Sequence, residues 1–325
     1  MQKIVEEKEI DARGKFALEG WVTDKVSPHA GRFAVVTGGG GGLGYEIALA
    51  LATESVDVII AELDEGKGRA TAAKIRSLAP KALVRFEKLD LADLASVTAF
   101  AGRMISEGRP LDLLVNNASV MALPKRSVTA DGFEMQFGAN YLGHFALTMQ
   151  LLPLLRMSKS PRVVQVSSLA YRYGKIRFDD LLAKQNYRPR AAYQQSKLAL
   201  VVFALELQRR SDARGWGLLS TAVHPGYART ELNANGGGAT GILFQLSQMF
   251  GKMISQSAAD GALPALFAAT SEDALPGGFY GPGGRFELIG PPVAARLSKS
   301  AQDQATARNL WQVSEQLTGV KSPDE

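Results

Sequence analysis

The sequence predicts an α/β fold in which a doubly wound, mainly parallel sheet carries helices on both faces and a small helical lid. Three observations support this fold class. Short apolar runs alternate with helix-length stretches along most of the 325 residues. Apolar residues make up 46% and charged residues 21%, which is typical of a chain that buries a large core. A run of glycines separates the first apolar run from the first helical stretch.

Six strands and five helices are predicted in order along the chain. The strands are Phe33–Val36, Val56–Ala61, Ala82–Leu89, Leu111–Val115, Arg162–Val166 and Leu218–Val223. The helices are Tyr45–Thr53, Glu65–Leu78, Leu91–Ile105, residues 129–157 and Ala191–Arg210. Because parallel strands need crossover connections of this length, the sheet is expected to be covered on both faces.

The chain is predicted to consist of a charged N-terminal extension over residues 1–31 and a single domain over residues 32–325. No linker or fixed-period repeat divides that domain. The segment 231–256 contains a glycine run at Gly236–Gly238, followed by apolar residues spaced for an amphipathic helix. Two interpretations remain for it: core packing, or a hinged lid over an apolar substrate.

The composition excludes several classes of protein. The chain has no cysteine and three widely spaced histidines, which excludes thiolate metal sites and a cysteine nucleophile and indicates no metal centre. The net charge of +5 comes from scattered basic residues, so nucleic-acid binding is not expected. No stretch reaches 18 apolar residues and the N-terminus lacks a signal sequence, so we expect no transmembrane segment and a cytoplasmic location.

The glycine run Thr37-Gly38-Gly39-Gly40-Gly41-Gly42-Leu43-Gly44 predicts a dinucleotide-binding turn. Glycines between a strand and a helix let the backbone approach a pyrophosphate, which then faces the N–H groups of the helix. The run satisfies three glycine patterns at once. They use Gly38, Gly42 and Gly44, or Gly38, Gly41 and Gly44, or Gly39, Gly41 and Gly44. The run alone does not choose among them.

Glu62, at the end of the second strand, predicts the cofactor preference. A carboxylate 18 residues beyond Gly44 can accept hydrogen bonds from ribose hydroxyls, and it repels a 2′-phosphate. NAD is therefore the predicted cofactor, with NADP still possible. The alternative is that Glu62 simply belongs to an acidic helix start, although Asp64 and Glu65 fit that role better.

Three further motifs, which contain four polar residues, predict acid–base chemistry. Tyr193 and Lys197 lie one turn apart on a helix, so an ammonium group next to the phenol, together with an oxidised nicotinamide, would lower the tyrosine pKa. Ser168 follows the fifth strand, where a hydroxyl can donate to a carbonyl oxygen as charge develops on it. Asn140 is a poor helix former inside a helical stretch, and a direct or water-mediated contact with Lys197 would explain it.

Taken in order, these motifs resemble the tyrosine-dependent short-chain dehydrogenase/reductase family from about Gly31 to about Gly281. Asn140, Ser168, Tyr193 and Lys197 match the catalytic tetrad of that family. The cofactor motifs are Thr37, Gly38, Gly42, Leu43 and Gly44 in the first turn, Leu89-Asp90-Leu91, Asn116-Asn117-Ala118, and His224-Pro225-Gly226 with Thr230.

The resemblance implies a Rossmann fold and hydride transfer with a nicotinamide cofactor. By the same resemblance Asp90 contacts adenine, Asn117 lines the cofactor cleft, and Thr230 with the backbone near Tyr227 holds the carboxamide. Tyr193 is the implied acid/base, Ser168 the implied carbonyl ligand, and Lys197 the ligand of the nicotinamide ribose.

Within the family the chain is most similar to retinol-dehydrogenase-like members. The stretches Asp131–Phe137 and Asn140–Phe145 support this, and so does the gap of 25 residues from Ser168 to Tyr193. The inserted residues 171–189 are expected to form a flap beside the substrate. One departure is Ser119, which stands where the family pattern has glycine and adds a side chain close to the cofactor.

The sequence therefore predicts an NAD(P)-dependent oxidoreductase, NAD-preferring, that interconverts an apolar alcohol and its ketone or aldehyde. The alternative is a sensor or scaffold that binds the dinucleotide without turnover. A homodimer or homotetramer is possible, paired through the long helix at 191–210.

Overall fold

A computed structural model of the protein describes residues 30–227 and 256–322. The predicted extension at 1–31 lies outside the described residues except for its last two positions. Thr230 also lies outside them, as does the lid segment 231–256 except for Gln256.

The described chain forms one sheet of eight strands in the order β3-β2-β1-β4-β5-β6-β7-β8. All neighbours pair in parallel except β7 and β8, which are antiparallel. The strands are β1 (Phe33–Thr37), β2 (Asp57–Glu62), β3 (Val84–Lys88), β4 (Leu113–Asn116), β5 (Arg162–Val166), β6 (Leu219–Val223), β7 (Phe279–Pro282) and β8 (Pro292–Ala294). This order confirms the predicted fold class and reverses direction between β1 and β4, where parallel sheets of this kind bind ligands.

Helices cover both faces of the sheet. They are α1 (Gly42–Thr53), α2 (Glu65–Leu78), α3 (Leu94–Glu107), α4 (Met135–Phe137), α5 (Gly143–Met157), α6 (Pro189–Arg214), α7 (Ala258–Thr270) and α8 (Gln304–Thr318). Side chains alternate along each strand, so that Val35 packs under α3, α5 and α6 while Val36 packs under α1 and α7. Two apolar cores result, one on each face.

The stretch predicted as one helix over residues 129–157 is broken near its start. A bridge between Val128 and Glu134 and a left-handed Gly132 (φ 82°) precede the first helical turn. The carboxylate of Glu134 then caps that turn by accepting from the backbone N–H groups of Gln136 and Phe137. A π-helical turn over Gly138–Leu142 joins α4 to α5.

The C-terminal elements β7, β8, α7 and α8 were not predicted. Of these, α8 packs across α6 and places the Trp311 ring 5.8 Å from the ring of Phe203. The middle of α6 is therefore covered within the chain, which leaves little of this helix for the expected homodimer contact. Across residues 30–227 and 256–322, no helix is both long and apolar enough to cross a bilayer.

Candidate active site

A cavity of about 720 Å³ opens where the carboxyl ends of β1, β4, β5 and β6 meet. Most predicted site residues line it, although they come from distant parts of the chain. They are Gly38, Gly42, Leu43, Gly44, Glu62, Asp90, Leu91, Asn117, Ala118, Ser168, Tyr193, Lys197, Pro225 and Gly226. Thr37 and Asn140 lie behind the wall, and Thr230 is outside the described residues.

Of the three glycine patterns left open by the sequence, the turn favours the one formed by Gly38, Gly42 and Gly44. Gly38 and Gly42 adopt left-handed backbones, with φ of 62° and 52°. A Cβ on Gly44 would lie 2.2 Å from the carbonyl oxygen of Gly38. Glycine is thus required at 38, 42 and 44. Among the described residues no side chain caps the start of α1, so its first N–H groups are available to an anion in the cavity.

A buried network joins the glycine turn to β4 and α5. The hydroxyl of Thr37 accepts from the backbone N–H groups of Asn117 (2.9 Å) and Ala118 (3.0 Å), and its oxygen lies 2.9 Å from Nε2 of His144. Nδ1 of His144 lies 2.8 Å from the carbonyl oxygen of Asn140, which can only accept. Nδ1 therefore carries the proton, and Nε2 accepts from the Thr37 hydroxyl. Burial lowers the pKa of His144 to about 4, which keeps this ring neutral.

Glu62 and Lys67 both line the cavity. The Glu62 carboxylate folds over the glycine turn and accepts from the backbone N–H groups of Gly40 and Leu63, each at 3.0 Å. Asp64, not Glu62, caps α2 by accepting from the N–H of Lys67 at 2.9 Å, which rules out the helix-start alternative for Glu62. In the sequence, no basic residue lies in the glycine turn or at positions 62–64, and Lys67 and Arg69 are the nearest. Of these two, the structure places Lys67 in the cavity lining.

Asp90 and Asn117 contribute to the walls and are held by local bonds. Asp90 lines the cavity while its carboxylate accepts from the N–H of Ala92 at 2.8 Å. The side-chain amide of Asn117 donates to the carbonyl of Thr37 at 2.9 Å and so ties β4 to β1. Ser119, at the position where the family pattern has glycine, also lines the cavity, with its hydroxyl oxygen 3.4 Å from the carbonyl oxygen of Val120.

Ser168 and Tyr193 both line the cavity, and a side-chain interaction with Ser168 favours the ionised form of the Tyr193 phenol. Ser168 directly follows β5, whereas Tyr193 lies in the first turns of α6, which starts at Pro189. Burial raises the pKa of Tyr193 to about 12, and the interaction with Ser168 lowers it only in part. The protein alone therefore keeps this phenol protonated at neutral pH.

Lys197 lies one turn beyond Tyr193, and its Nζ is 5.7 Å from the centroid of the Tyr193 ring. Nζ donates to the carbonyl of Val166 at 3.0 Å. Burial lowers the pKa of Lys197 to about 7. The expectation that this lysine acidifies the phenol is thus incomplete, because burial opposes the charged forms of both groups and outweighs their attraction.

Asn140 makes no direct contact with Lys197, so the direct one of the two contacts expected from the sequence is not found. Its amide N donates to the carbonyl of Val120 (2.9 Å) and to the hydroxyl of Ser196 (3.0 Å), and its amide oxygen accepts from the N–H of Val120 (2.8 Å). The π-helical turn directs Asn140 toward Val120. Asn140 therefore positions the loop after β4 against α6.

The inserted residues 171–189 pack beside the cavity without lining it. Buried Asp180 accepts from the N–H of Lys184 at 2.7 Å and thereby closes a tight loop. The hydroxyl of Tyr187 donates to the carbonyl of Leu123 at 2.6 Å. Of the described residues that line the cavity, Ala170 comes nearest to this insert in sequence. The expected contact of the insert with a substrate stays a prediction.

Sequence reasoning assigned no contact to three polar residues behind the cavity: His144, Ser196, and His224, which it had named only as part of a cofactor motif. Each is buried and binds a predicted site residue, namely Thr37, Asn140 and Gly226 respectively. The residue types gave little signal, since a serine or histidine inside an apolar helix or after a strand is compatible with ordinary packing. One signal was present: His144 follows Asn140 by four residues, the spacing of contacts along a helix.

A sheet of this strand order, with a serine, tyrosine and lysine around a cavity at its carboxyl edge, defines an oxidoreductase that acts on CH–OH groups. Residues 32–238 match the family model described as short chain dehydrogenase. The chain belongs to this family, in its retinol-dehydrogenase-like branch.

Similar proteins place the chain in the same branch. It is 40% identical over 303 residues to a polyprenol dehydrogenase of Mus musculus, covering 92% of this chain and 87% of the relative. It is 39% identical over 314 residues to retinol dehydrogenase 13 of Homo sapiens, covering 94% and 91%. A crystal structure of an uncharacterised protein from Mycobacterium paratuberculosis superposes with a TM-score of 0.76 at 38% identity, covering 94% of this chain and 99% of that one.

Proposed function

We propose that this protein is a nicotinamide-dependent dehydrogenase that interconverts an apolar alcohol and its ketone or aldehyde, with a preference for NAD. The observation that carries the proposal is the arrangement of Ser168, Tyr193 and Lys197 around one cavity, next to a glycine turn. The names of the relatives support an apolar substrate, because retinol and polyprenol are both alcohols with long hydrocarbon portions.

The cavity fits a nicotinamide dinucleotide, which would accept or supply the hydride. The close approach of Gly44 to the carbonyl of Gly38 leaves the turn without side chains, so a pyrophosphate can contact its backbone N–H groups. Glu62 and Asp90 would face the adenosine half. Pro225 and Gly226 follow β6, next to β5 and Ser168 and away from β2 and β3, so the nicotinamide half would bind there.

The chain's own residues would handle the proton. In the oxidation direction, Tyr193 in its phenolate form would accept the hydroxyl proton of the alcohol while the hydroxyl of Ser168 holds the same oxygen. In the reverse direction, Tyr193 returns the proton to the carbonyl oxygen. Lys197 stabilises the phenolate and would bind the nicotinamide ribose. The side-chain amide of Asn140 already donates to Val120 and Ser196. We therefore propose that Asn140 supports proton transfer indirectly, by holding these two residues in place.

The predicted cofactor preference depends on two opposite charges. Glu62 repels a 2′-phosphate, whereas Lys67, which also lines the cavity, attracts one. Glu62 lies directly against the glycine turn through the N–H of Gly40, so we propose that its repulsion dominates. A comparison of kcat/KM for NAD and NADP tests this. A preference for NADP above tenfold would overturn the NAD assignment.

Turnover distinguishes the enzyme from a dinucleotide sensor. Reduced-cofactor absorbance is followed with a panel of apolar primary and secondary alcohols, including long isoprenoid ones. Tyr193→Phe is expected to reduce kcat by roughly 10²–10⁴-fold while NADH affinity changes less than about threefold. NADH binding by the native protein without turnover on any member of the panel would favour the sensor. Unchanged kcat in Tyr193→Phe would refute the assigned acid/base.

The cytoplasmic location and the oligomeric state stay part of the proposal. A homodimer or homotetramer would need a contact surface other than the covered middle of α6, because α8 already packs there. Sedimentation equilibrium of the full chain determines which state forms.

A further inference from the structure

His224 is buried at the end of β6, immediately before Pro225 and Gly226 in the cavity wall. The N–H of Gly226 points at its Nδ1 at 3.3 Å, and its Nε2 lies 3.2 Å from the carboxylate of Glu287. Since a backbone N–H can only donate, Nδ1 must be unprotonated. Nε2 therefore carries the proton and donates to Glu287. Both contacts are satisfied only in this neutral tautomer.

The pKa values of His224 and Glu287 also favour a neutral His224 ring that donates to an ionised Glu287. Burial lowers the pKa of His224, although Glu287 raises it in part, so the ring is neutral near pH 7. The hydrogen bonds from His224 and Arg172 lower the pKa of Glu287 to about 2. The two charged side chains that face His224 are thus Glu287 and Arg172.

Glu287 is held in an unusual backbone conformation. Phe286 and Glu287 are consecutive non-glycine residues in the left-handed region, with φ of 56° and 59°. The carboxylate of Glu287 also accepts from Arg172 at 2.6 Å, and Arg172 lies four residues after Ser168. Left-handed non-glycine residues persist where surrounding contacts hold them, and they often occur at functional sites.

The same loop supports the cavity wall through its backbone. The carbonyl of Leu288 accepts from the N–H of Tyr227 at 2.9 Å. A Cβ on Gly226 would lie 2.3 Å from that carbonyl oxygen, and a Cβ on Gly281 would lie 2.0 Å from Nε2 of His224. Loop 284–290 and β7 therefore fit tightly around His224 and the turn that follows it.

We propose that Glu287 is a positioning residue that acts through His224: it fixes the Nε2–H tautomer and so holds the Pro225–Gly226 turn in the wall of the cavity that Ser168 and Tyr193 also line. This inference rests on the proposed function, since the group positioned against that turn is the nicotinamide half of the cofactor. Glu287 does not line the cavity itself, so its effect on cofactor binding is indirect.

Two amide variants that differ by one methylene test this role. Glu287→Gln reaches His224 and retains an acceptor oxygen, whereas Glu287→Asn does not reach it. Asn tolerates the left-handed backbone, so Glu287→Asn removes the contact without adding strain. As a matched control, Glu107→Gln removes the carboxylate from an exposed pair with Arg85, far from the cavity.

NADH affinity is measured by fluorescence titration, with kcat and KM for NAD in parallel. We expect Glu287→Asn to weaken NADH binding roughly tenfold and to raise the KM for NAD more than it lowers kcat. Glu287→Gln should stay within about threefold of the native protein, and Glu107→Gln should not differ from it. NADH affinity within twofold of native in Glu287→Asn would refute the proposal, and so would a Glu287→Gln variant as weak as Glu287→Asn.

The histidine tautomer in the native protein gives a second test that needs no Glu287 variant. The chain has three histidines, so the ¹⁵N signals of His224 are identified by their loss in His224→Gln. A proton on Nε2 near pH 7 supports the proposal, and a proton on Nδ1 overturns it. If the native protein bound neither NADH nor NADPH, the proposed function would fail and this inference with it. If it bound them and Glu287→Asn did so equally well, this inference alone would fail.

Discussion

Replacing Lys197 with methionine should make the protein more stable and inactive at the same time. Lys197 is almost fully buried, and its ammonium group bonds only to the Val166 carbonyl among the contacts of the described residues. Burial lowers the pKa of the group from 10.5 to about 7. The folded state therefore binds this proton more weakly than the unfolded chain does, which destabilises folding wherever the unfolded chain is protonated.

The magnitude follows from that difference in pKa. At 1.36 kcal/mol for each pKa unit, the fall from 10.5 to about 7 costs roughly 5 kcal/mol below pH 7. The cost decreases by about 1.4 kcal/mol per pH unit as the pH rises from 7 toward 10.5. Methionine leaves the Val166 carbonyl without its donor, which costs about 1–3 kcal/mol. The free energy of unfolding of Lys197→Met should therefore exceed that of the native protein by about 2–4 kcal/mol at pH 6 and by about zero at pH 9.

Urea unfolding at pH 6, 7.5 and 9 measures this difference, with kcat assayed on the same preparations. Lys81→Met is the matched control, because Lys81 is exposed and its replacement should show no pH-dependent gain. The reasoning is refuted if Lys197→Met is less stable than the native protein at pH 6, or if its gain does not decrease with rising pH. Loss of kcat alongside the gain would show that this lysine is retained for function at a cost in stability.

Two further predictions concern the glycine turn, with Gly102→Ala as its control, and the buried His144 behind the cavity. Gly44→Ala should weaken NADH binding at least tenfold and lower stability by about 1–3 kcal/mol, because its Cβ would lie 2.2 Å from the Gly38 carbonyl oxygen. Gly102→Ala, with no atom within 4 Å of its Cβ, should leave binding unchanged and raise stability by about 0.5–1 kcal/mol. His144→Gln should reduce the acid sensitivity of folding. Because burial lowers the His144 pKa from 6.5 to about 4, the native protein should lose roughly 3 kcal/mol relative to this variant as the pH falls from 6.5 to 4, measured by urea midpoints.

The sequence predicted most of the sheet because periodicity reports burial directly. Strands covered on both faces are continuous apolar runs, and β5 was predicted with its observed bounds, Arg162–Val166. β7 and β8 were missed for the same reason. β7 contains glycine and proline, and β8 is a three-residue strand with a proline at the sheet edge, so neither shows the apolar run that marks a central strand.

The lining of the cavity was predictable because motifs at strand ends converge in a parallel sheet. The hydrogen-bond partners behind it were not predictable, since they depend on side-chain direction. Asn140 illustrates this limit, because its spacing from Lys197 gave no sign that its amide would bind Val120 and Ser196. Lys67 is a second case, because only the observed placement of α2 shows that it lines the cavity together with Glu62.

Burial has opposite effects on the pKa values of Tyr193, the proposed acid/base, and Lys197, which is proposed to stabilise its phenolate. It raises that of Tyr193 to about 12 and lowers that of Lys197 to about 7, so near neutral pH the phenol is neutral and the amine is close to half-neutral. An isolated charge in so dry a site is costly, whereas a phenolate and an ammonium formed together offset part of that cost. The pair therefore ionises readily only when other groups in the cavity stabilise the charges. It follows that bound ligands, more than the lysine alone, would set the reactivity of Tyr193.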